Sequence, residues 1–158
     1  MAKMSSPVVL RAASLTLSGT LQTIVGTVST DNANASTGAA ALGDAALAVV
    51  RMTYARHASS TTGRPIVRVD TSMDAPSTAA GSVSNWHPVM VIDGSSFSSG
   101  AVELYAEEQK LNPTASGSTT FATHPVAVQC AHWMRVRIYD VDSTNPGAVT
   151  NVAFGGAT

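Results

Sequence analysis

Few side chains in this sequence could do chemistry, and their spacing limits what they can do. Cys130 and His132 stand two apart, which on a strand puts both on one face and would offer two ligands to a zinc ion. Two more ligands would have to come from elsewhere, and His57, His87 and His124 show neither paired helical spacing nor a Cys-x-x-Cys companion. Because Val126, Val128, Met134 and Val136 continue the same rows, the expected role of Cys130 and His132 is core packing, the usual fate of an unpaired cysteine. The segment from Asp140 to Gly147, DVDSTNPG, opens like a calcium loop with alternating carboxylates. The positions that need glycine and a bidentate carboxylate hold Asn145 and Asn151 instead, so a structural turn is expected there. No metal and no cofactor is expected.

Catalytic patterns fare no better. The serine-rich stretch Gly94 to Gly100 has Ser98 where a nucleophile elbow needs its second glycine, and a polar connection is the simpler reading. Glu103, Glu107 and Glu108 are the three glutamates of the chain, and a glycosidase pair among them would lack an aromatic sugar platform. The chain is therefore expected not to be an enzyme. The remaining chemically distinctive group is a strip in which Arg135 and Arg137 share a strand face with Trp133 and Tyr139. Such a strip could stack single-stranded nucleic acid or anchor a protein partner. With so few other cations, the protein partner is favoured over nucleic acid, and a plain solvated face stands beside it as the bland alternative.

The elements that must position these residues are strands. Met134, Val136 and Ile138 alternate with Arg135, Arg137 and Tyr139, the period of a strand with one face in a core. The stretch His124 to Asp142 reads as two strands meeting at a short corner. From Ala45 to Arg56, Val50, Met52 and Tyr54 face one way and Val49, Arg51 and Thr53 the other. Alternation on either side of Gly19 predicts a hairpin within Val8 to Val28, and further strands are expected over Pro65–Thr71, Trp86–Ile92, Ala101–Glu107, Thr119–Gln129 and Ala148–Phe154. A short helical turn is expected at Glu107 to Leu111. The fold expected is all-β, an antiparallel two-sheet β-sandwich, jelly-roll-like, with about eight or nine strands and little helix. Its predicted core comprises Val50, Met52, Tyr54, Trp86, Met90, Val126, Val128, Met134, Val136 and Ile138.

A length of 158 residues suits a single domain, 1–158, with a self-sufficient core. Within it, 1–13 is a possible extended N-terminal arm and 29–44 an exposed loop. Pro7, Val8, Val9 and Leu10 are equally readable as that arm or as the first strand of the chain's own sheet. Charged residues are only 12% of the chain, about half the usual share, which suits a surface meant to be covered. A formal charge of −1 and a pI near 6.4 argue against a protein that tracks nucleic-acid backbone. Apolar runs are too short to span a bilayer, and the N-terminal stretch lacks a secretory core, so no membrane association and assembly in the cytoplasm are expected. One cysteine fits a reducing compartment.

From Thr62 onward the layout resembles small β-sandwich structural proteins of tailed-bacteriophage particles. The residues carrying the resemblance are TGRPIVRVDTSMDAP, NWHPVMVIDG, and HPVAVQCAHWMRVRIYDVDSTNPG followed by VTNVAFGG. A Ser-x-Asp turn (Ser72 to Asp74), a Trp-x-Pro strand (Trp86 to Pro88) and an Ala-x-Trp-x-Arg-x-Arg strand (Ala131 to Arg137) hold the matching places. The resemblance implies a virion structural protein, assembled in the host cytoplasm. The first form expected is a head decoration or cement protein contacting the major capsid protein or other virion proteins as a homo-oligomer; the alternative is a neck, collar or tail component. Protein-interface residues are then expected at Pro7, Val8, Val9, Leu10, Arg135, Arg137 and Tyr139. A carbohydrate- or receptor-binding module would need an exposed aromatic platform, which 5% aromatic residues scarcely supply.

Overall fold

A computed structural model describes residues 8–24, 38–93, 118–122, 126–128 and 130–157. The strands are β1 (Val8–Arg11), β2 (Leu15–Thr16), β3 (Gln22–Thr23), β4 (Ala40–Ala41), β5 (Leu47–Ala55), β6 (Pro65–Ser72), β7 (His87–Asp93), β8 (Ser118–Ala122), β9 (Val126–Ala127), β10 (Trp133–Asp140) and β11 (Ala148–Ala157). The only helical piece among the described residues is a 3-10 turn at Ala80–Ser82. No helix among them is long and apolar enough to cross a membrane.

Pairing reduces these segments to eight lanes. β1 and β2 both pair with β11, β8 and β9 both pair with β5, and β3 and β4 both pair with β10. The first sheet therefore runs β1/β2, β11, β5, β8/β9, and the second runs β3/β4, β10, β6, β7. Every pairing is antiparallel. Numbered along the chain, the lanes fall in the orders 1-8-3-6 and 2-7-4-5, the strand order of a jelly roll. The all-β, two-sheet expectation holds.

The core lies between the sheets and follows from alternation. β5 sends Ala48, Val50, Met52 and Tyr54 inward, while β10 contributes Met134, Val136 and Ile138 and β6 contributes Val67 and Val69. In β11, Val149 faces inward at one end and Val152 and Phe154 at the other, a parity that strict alternation forbids. An irregularity between Thr150 and Ala153 in the pairing with β5, with Asn151 at φ 53°, supplies the odd residue and keeps the inward row continuous.

Several expectations are corrected. The predicted hairpin about Gly19 does not form: β2 belongs to the first sheet and β3 to the second, so the chain crosses between sheets there. Gly19 sits so close to the turn below it that an added Cβ would lie 2.5 Å from Cβ of Ser143. The exposed loop expected over 29–44 does not extend through its end, because Ala39 and Ala40 are fully buried and β4 pairs with β10. Cys130 is exposed, not core: it lies at the corner between β9 and β10 with φ 70°, which breaks the row that would have carried it inward. Trp86 is not in the core either; it lies half-buried on the outer side of the second sheet. Val8–Arg11 is an edge strand of the chain's own sheet, not an arm. The Ala101–Glu107 strand, the helical turn at Glu107 to Leu111, the Gly94 to Gly100 loop and Pro7 lie outside the described residues, as does the side chain of Val126.

One carboxylate ties the two sheets together. Asp140, at the end of β10, is fully buried, and Oδ2 accepts hydrogen bonds from Tyr54 Oη on β5 (2.7 Å) and from the Gly147 amide leading into β11 (2.8 Å). Oδ1 accepts from the amides of Arg64 (3.2 Å) and Asp142 (2.9 Å). Burial, reinforced by the bond to Asp140 and that residue's charge, pushes the Tyr54 phenol far above its ordinary range. Gly147 is required by this packing, since a Cβ there would lie 2.5 Å from the Ala55 carbonyl oxygen and 2.6 Å from the Tyr54 ring. The expected turn at Asp140–Gly147 is present: Asp142 Oδ1 accepts the amides of Thr144 and Asn145, and Oδ2 accepts the Ser60 hydroxyl at 2.6 Å.

Two stability outcomes follow. Met134→Ala should cost about 2–5 kcal/mol through lost burial and the cavity left behind, whereas Thr61→Ala, at an exposed position, should shift stability by less than about 0.5 kcal/mol; urea unfolding of the two variants checks the contrast. Tyr54→Phe keeps the ring and removes one of the two donors to Asp140 Oδ2, so it should cost about 1.5–3 kcal/mol in the same assay.

Candidate functional site

The strip of Trp133, Arg135, Arg137 and Tyr139 lies on the outer face of the second sheet, as alternation in β10 requires. Its register with β6 sets Arg135 opposite Asp70, Arg137 opposite Arg68, Trp133 opposite Ser72 and Tyr139 opposite Ile66. The outer face thus collects three arginines around one aspartate. Nε of Arg68 donates to Asp70 Oδ1 at 2.6 Å, and Nε of Arg135 donates to Oδ2 at 3.0 Å. Nε of Arg137 lies 2.8 Å from Oδ2 but out of line for a hydrogen bond, so its contact is an ion pair alone.

Asp70 is fully buried although it points away from the core. Burial by itself would raise its pKa, but hydrogen bonds from Arg135 and Arg68 and the charge of Arg137 outweigh that and hold the carboxyl below the usual carboxylate range. Burial likewise pulls the Arg135 guanidinium down from its ordinary value, with the bond to Asp70 opposing. The arginines remain part-exposed, their side chains retaining 31% (Arg68), 18% (Arg135) and 21% (Arg137) of full exposure.

A connection clamped by Asp74 covers one end of this face. The Asp74 amide donates to Ser72 Oγ, and its carboxylate accepts the Ser84 amide at 2.6 Å and Asn85 Nδ2 at 2.7 Å, which closes the chain between β6 and β7 into a compact loop. Those bonds, that from Asn85 first, hold the Asp74 carboxyl below its ordinary range. The loop places two indoles. Trp133 Nε1 donates to the Ala75 carbonyl and Trp86 Nε1 to that of Val83, both at 3.2 Å, and the Trp86 ring lies under the Arg135 guanidinium, 4.4 Å from centroid to carbon. That separation is well within cation–π range. Beside the cluster, β7 presents Val91, opposite Arg68, and Val89; these are 51% and 42% exposed, and Met73 is 64% exposed.

The two groups of residues expected to form an interface do not come together as one strip. Arg135, Arg137 and Tyr139 belong to the second sheet, whereas Val9 is half-buried on β1 at the edge of the first. Asp70 and Arg68, which organise the cluster, were missed by sequence reasoning. Their signal was present as Arg68-x-Asp70 and Arg135-x-Arg137, two same-face pairs, but it becomes visible only once β6 and β10 are known to be neighbours. Cys130 and His132 do not share a strand face, since both precede β10. Among the described residues no three of His, Cys, Asp or Glu converge on a metal-sized site.

What the face can do chemically is recognise. It combines guanidinium groups and an indole, residue types that dominate protein-interface energetics, with exposed aliphatics beside them. The chain is thus defined as a two-sheet jelly-roll sandwich with an arginine-rich outer face. Comparison with family models, curated proteins and solved structures finds no match to it.

Asp70 should make stability depend on acid. Its carboxyl titrates lower in the folded than in the unfolded chain, so its contribution is complete above the unfolded value, about 3.9, and is lost as pH falls through the folded value. Asp70→Asn should flatten the fall in stability below about pH 4. It should also lower stability near neutral pH by about 3–5 kcal/mol, the cost of breaking a buried pair from one side. Urea unfolding of both proteins from pH 7 down to about 2 is the measurement.

Proposed function

We propose that this protein is a non-enzymatic structural component of a bacteriophage particle, and that it acts as a decoration or cement protein on the head. The observation that carries the reading is the outer face of the second sheet. Arg68, Arg135, Arg137, Trp86, Val89 and Val91 together form a surface of the composition used to hold protein partners. Jelly-roll strand order supports it by analogy, since that architecture recurs in viral shell domains, although it also recurs in lectins and other folds. The resemblance of the Ser72–Asp74, Trp86–Pro88 and Ala131–Arg137 segments to tailed-phage sandwich proteins supports it further.

A cement protein works by binding the assembled shell and not its separated parts, so its binding free energy favours assembly by mass action. The described fold suits this role physically. Asp140 and the core make a stiff body, and charged residues, at 12% of the chain, leave much of the surface inexpensive to desolvate. Partners on this reading are the major capsid protein or other virion proteins, with further copies of the chain completing a symmetric cluster at a lattice junction. A neck, collar or tail role uses the same surface chemistry and differs in copy number.

Quantitative mass spectrometry of purified particles, counting this chain against the major shell protein, is the test. Copies that scale with the shell lattice are expected. A count equal to a single ring would move the protein to the neck or tail, and its absence from particles would refute a virion role.

A further inference from the structure

We propose that the Arg68–Arg135–Arg137 cluster with Trp86 is a seat for carboxylate side chains of an acidic segment on a partner protein. This rests on the reading of the outer face as a protein interface and adds the chemistry of what it accepts. Three guanidinium groups surround one carboxylate, so the cluster carries two positive charges that Asp70 does not compensate. The geometry leaves those charges usable. Asp70 engages each arginine through Nε, and no acceptor among the described residues takes their Nη groups. Each guanidinium has five N–H donors, of which Nε supplies one, so the outward Nη groups form a set of forks suited to bidentate recognition of a carboxylate.

The seat is also pre-formed. Long arginine side chains ordinarily lose much rotamer freedom on binding, but here Asp70 holds three of them and Trp86 stacks on one, so less order remains to be imposed by the ligand. Val91 lies opposite Arg68, with exposed Val89 two residues before it on β7, and the two give the seat an apolar border. The matching ligand is an Asp- or Glu-bearing segment with apolar neighbours. Nucleic acid fits less well. Following a phosphate backbone takes cations spread along a track, whereas this chain places three at one spot and has a net charge of −1.

The test is a calorimetric titration of the isolated full chain with poly-L-glutamate, alongside a single-stranded DNA oligonucleotide of matching charge. Saturable binding of poly-L-glutamate is expected, weakening as salt rises, and roughly tenfold or more weaker in Arg68→Gln and in Arg137→Gln, as loss of a charged hydrogen-bonding group requires. Arg68→Lys keeps the charge but not the fork and should fall between. Thermal unfolding of each variant establishes that it is folded. Should the glutamine variants not fold, the wild-type salt series and the Arg68→Lys comparison decide the matter. No saturable binding, binding indifferent to salt, or tighter binding of DNA would overturn the proposal. Self-association of the free protein that poly-L-glutamate does not disturb would overturn it as well. Particle copy number is measured independently, so absence from virions would remove the virion role while leaving polyglutamate binding intact, and lost binding would remove the seat while leaving the copy number intact.

Discussion

The structure depends on one buried carboxylate that belongs to both sheets. Asp140 ends β10 in the second sheet, yet its donors come from β5 and from the approaches to β6 and β11, so the two layers and the turn between them share a single acceptor. Hydrophobic contact between two sheets is not directional and would tolerate a range of offsets. Four hydrogen bonds to one buried anion are directional, and each would leave an unsatisfied group if the sheets slid. Gly147 then follows as a steric requirement, because the Tyr54 ring and the Ala55 carbonyl occupy the space a side chain would need. The Asp142 turn, with its bond to Ser60, extends the same anchoring outward.

The second aspartate network has a different purpose. β6 is buried on both faces except at Arg68, whereas β5 alternates between buried and open. The difference lies in the β6–β7 connection, which Asp74 closes over one end of the outer face, and in the arginines drawn onto Asp70. A sheet face that would ordinarily carry independent solvated charges is instead a fixed array. The cost is the desolvation of Asp70, offset by three cations and by stacking on Trp86. Such an array is rigid before anything binds to it.

Strand positions were legible in the sequence because alternation is a local property. Met134, Val136 and Ile138 face the core and Arg135, Arg137 and Tyr139 face away, as their spacing requires, and the same holds for Val50, Met52 and Tyr54. Partnership is not local. The segments on either side of Gly19 carry a hairpin's pattern, yet they enter different sheets, since nothing in a two-residue alternation says which neighbour will be met. Cys130 was misplaced because a positive φ at the corner resets the parity that had been extended through it. Trp86 was misplaced because size alone suggested the core, whereas its indole N–H and its position just before β7 suit a half-buried place against Arg135. The Asp70 cluster escaped notice for the same reason as the false hairpin: it is made by register between β6 and β10.

The place of β11 bears on how the chain reaches this state. The last strand in chain order is an inner lane of the first sheet, pairing with β5 on one side and with β1 and β2 on the other. Val8 has no partner across the ladder until Phe154 exists, and β5 lacks one of its two neighbours for as long. Such distant pairing makes loop closure costly and folding slow. During synthesis the edges of β1 and β5 are open to other chains, which is the condition under which nascent β proteins aggregate. A halt in translation before β11 would leave the edges of β1 and β5 that it covers bare.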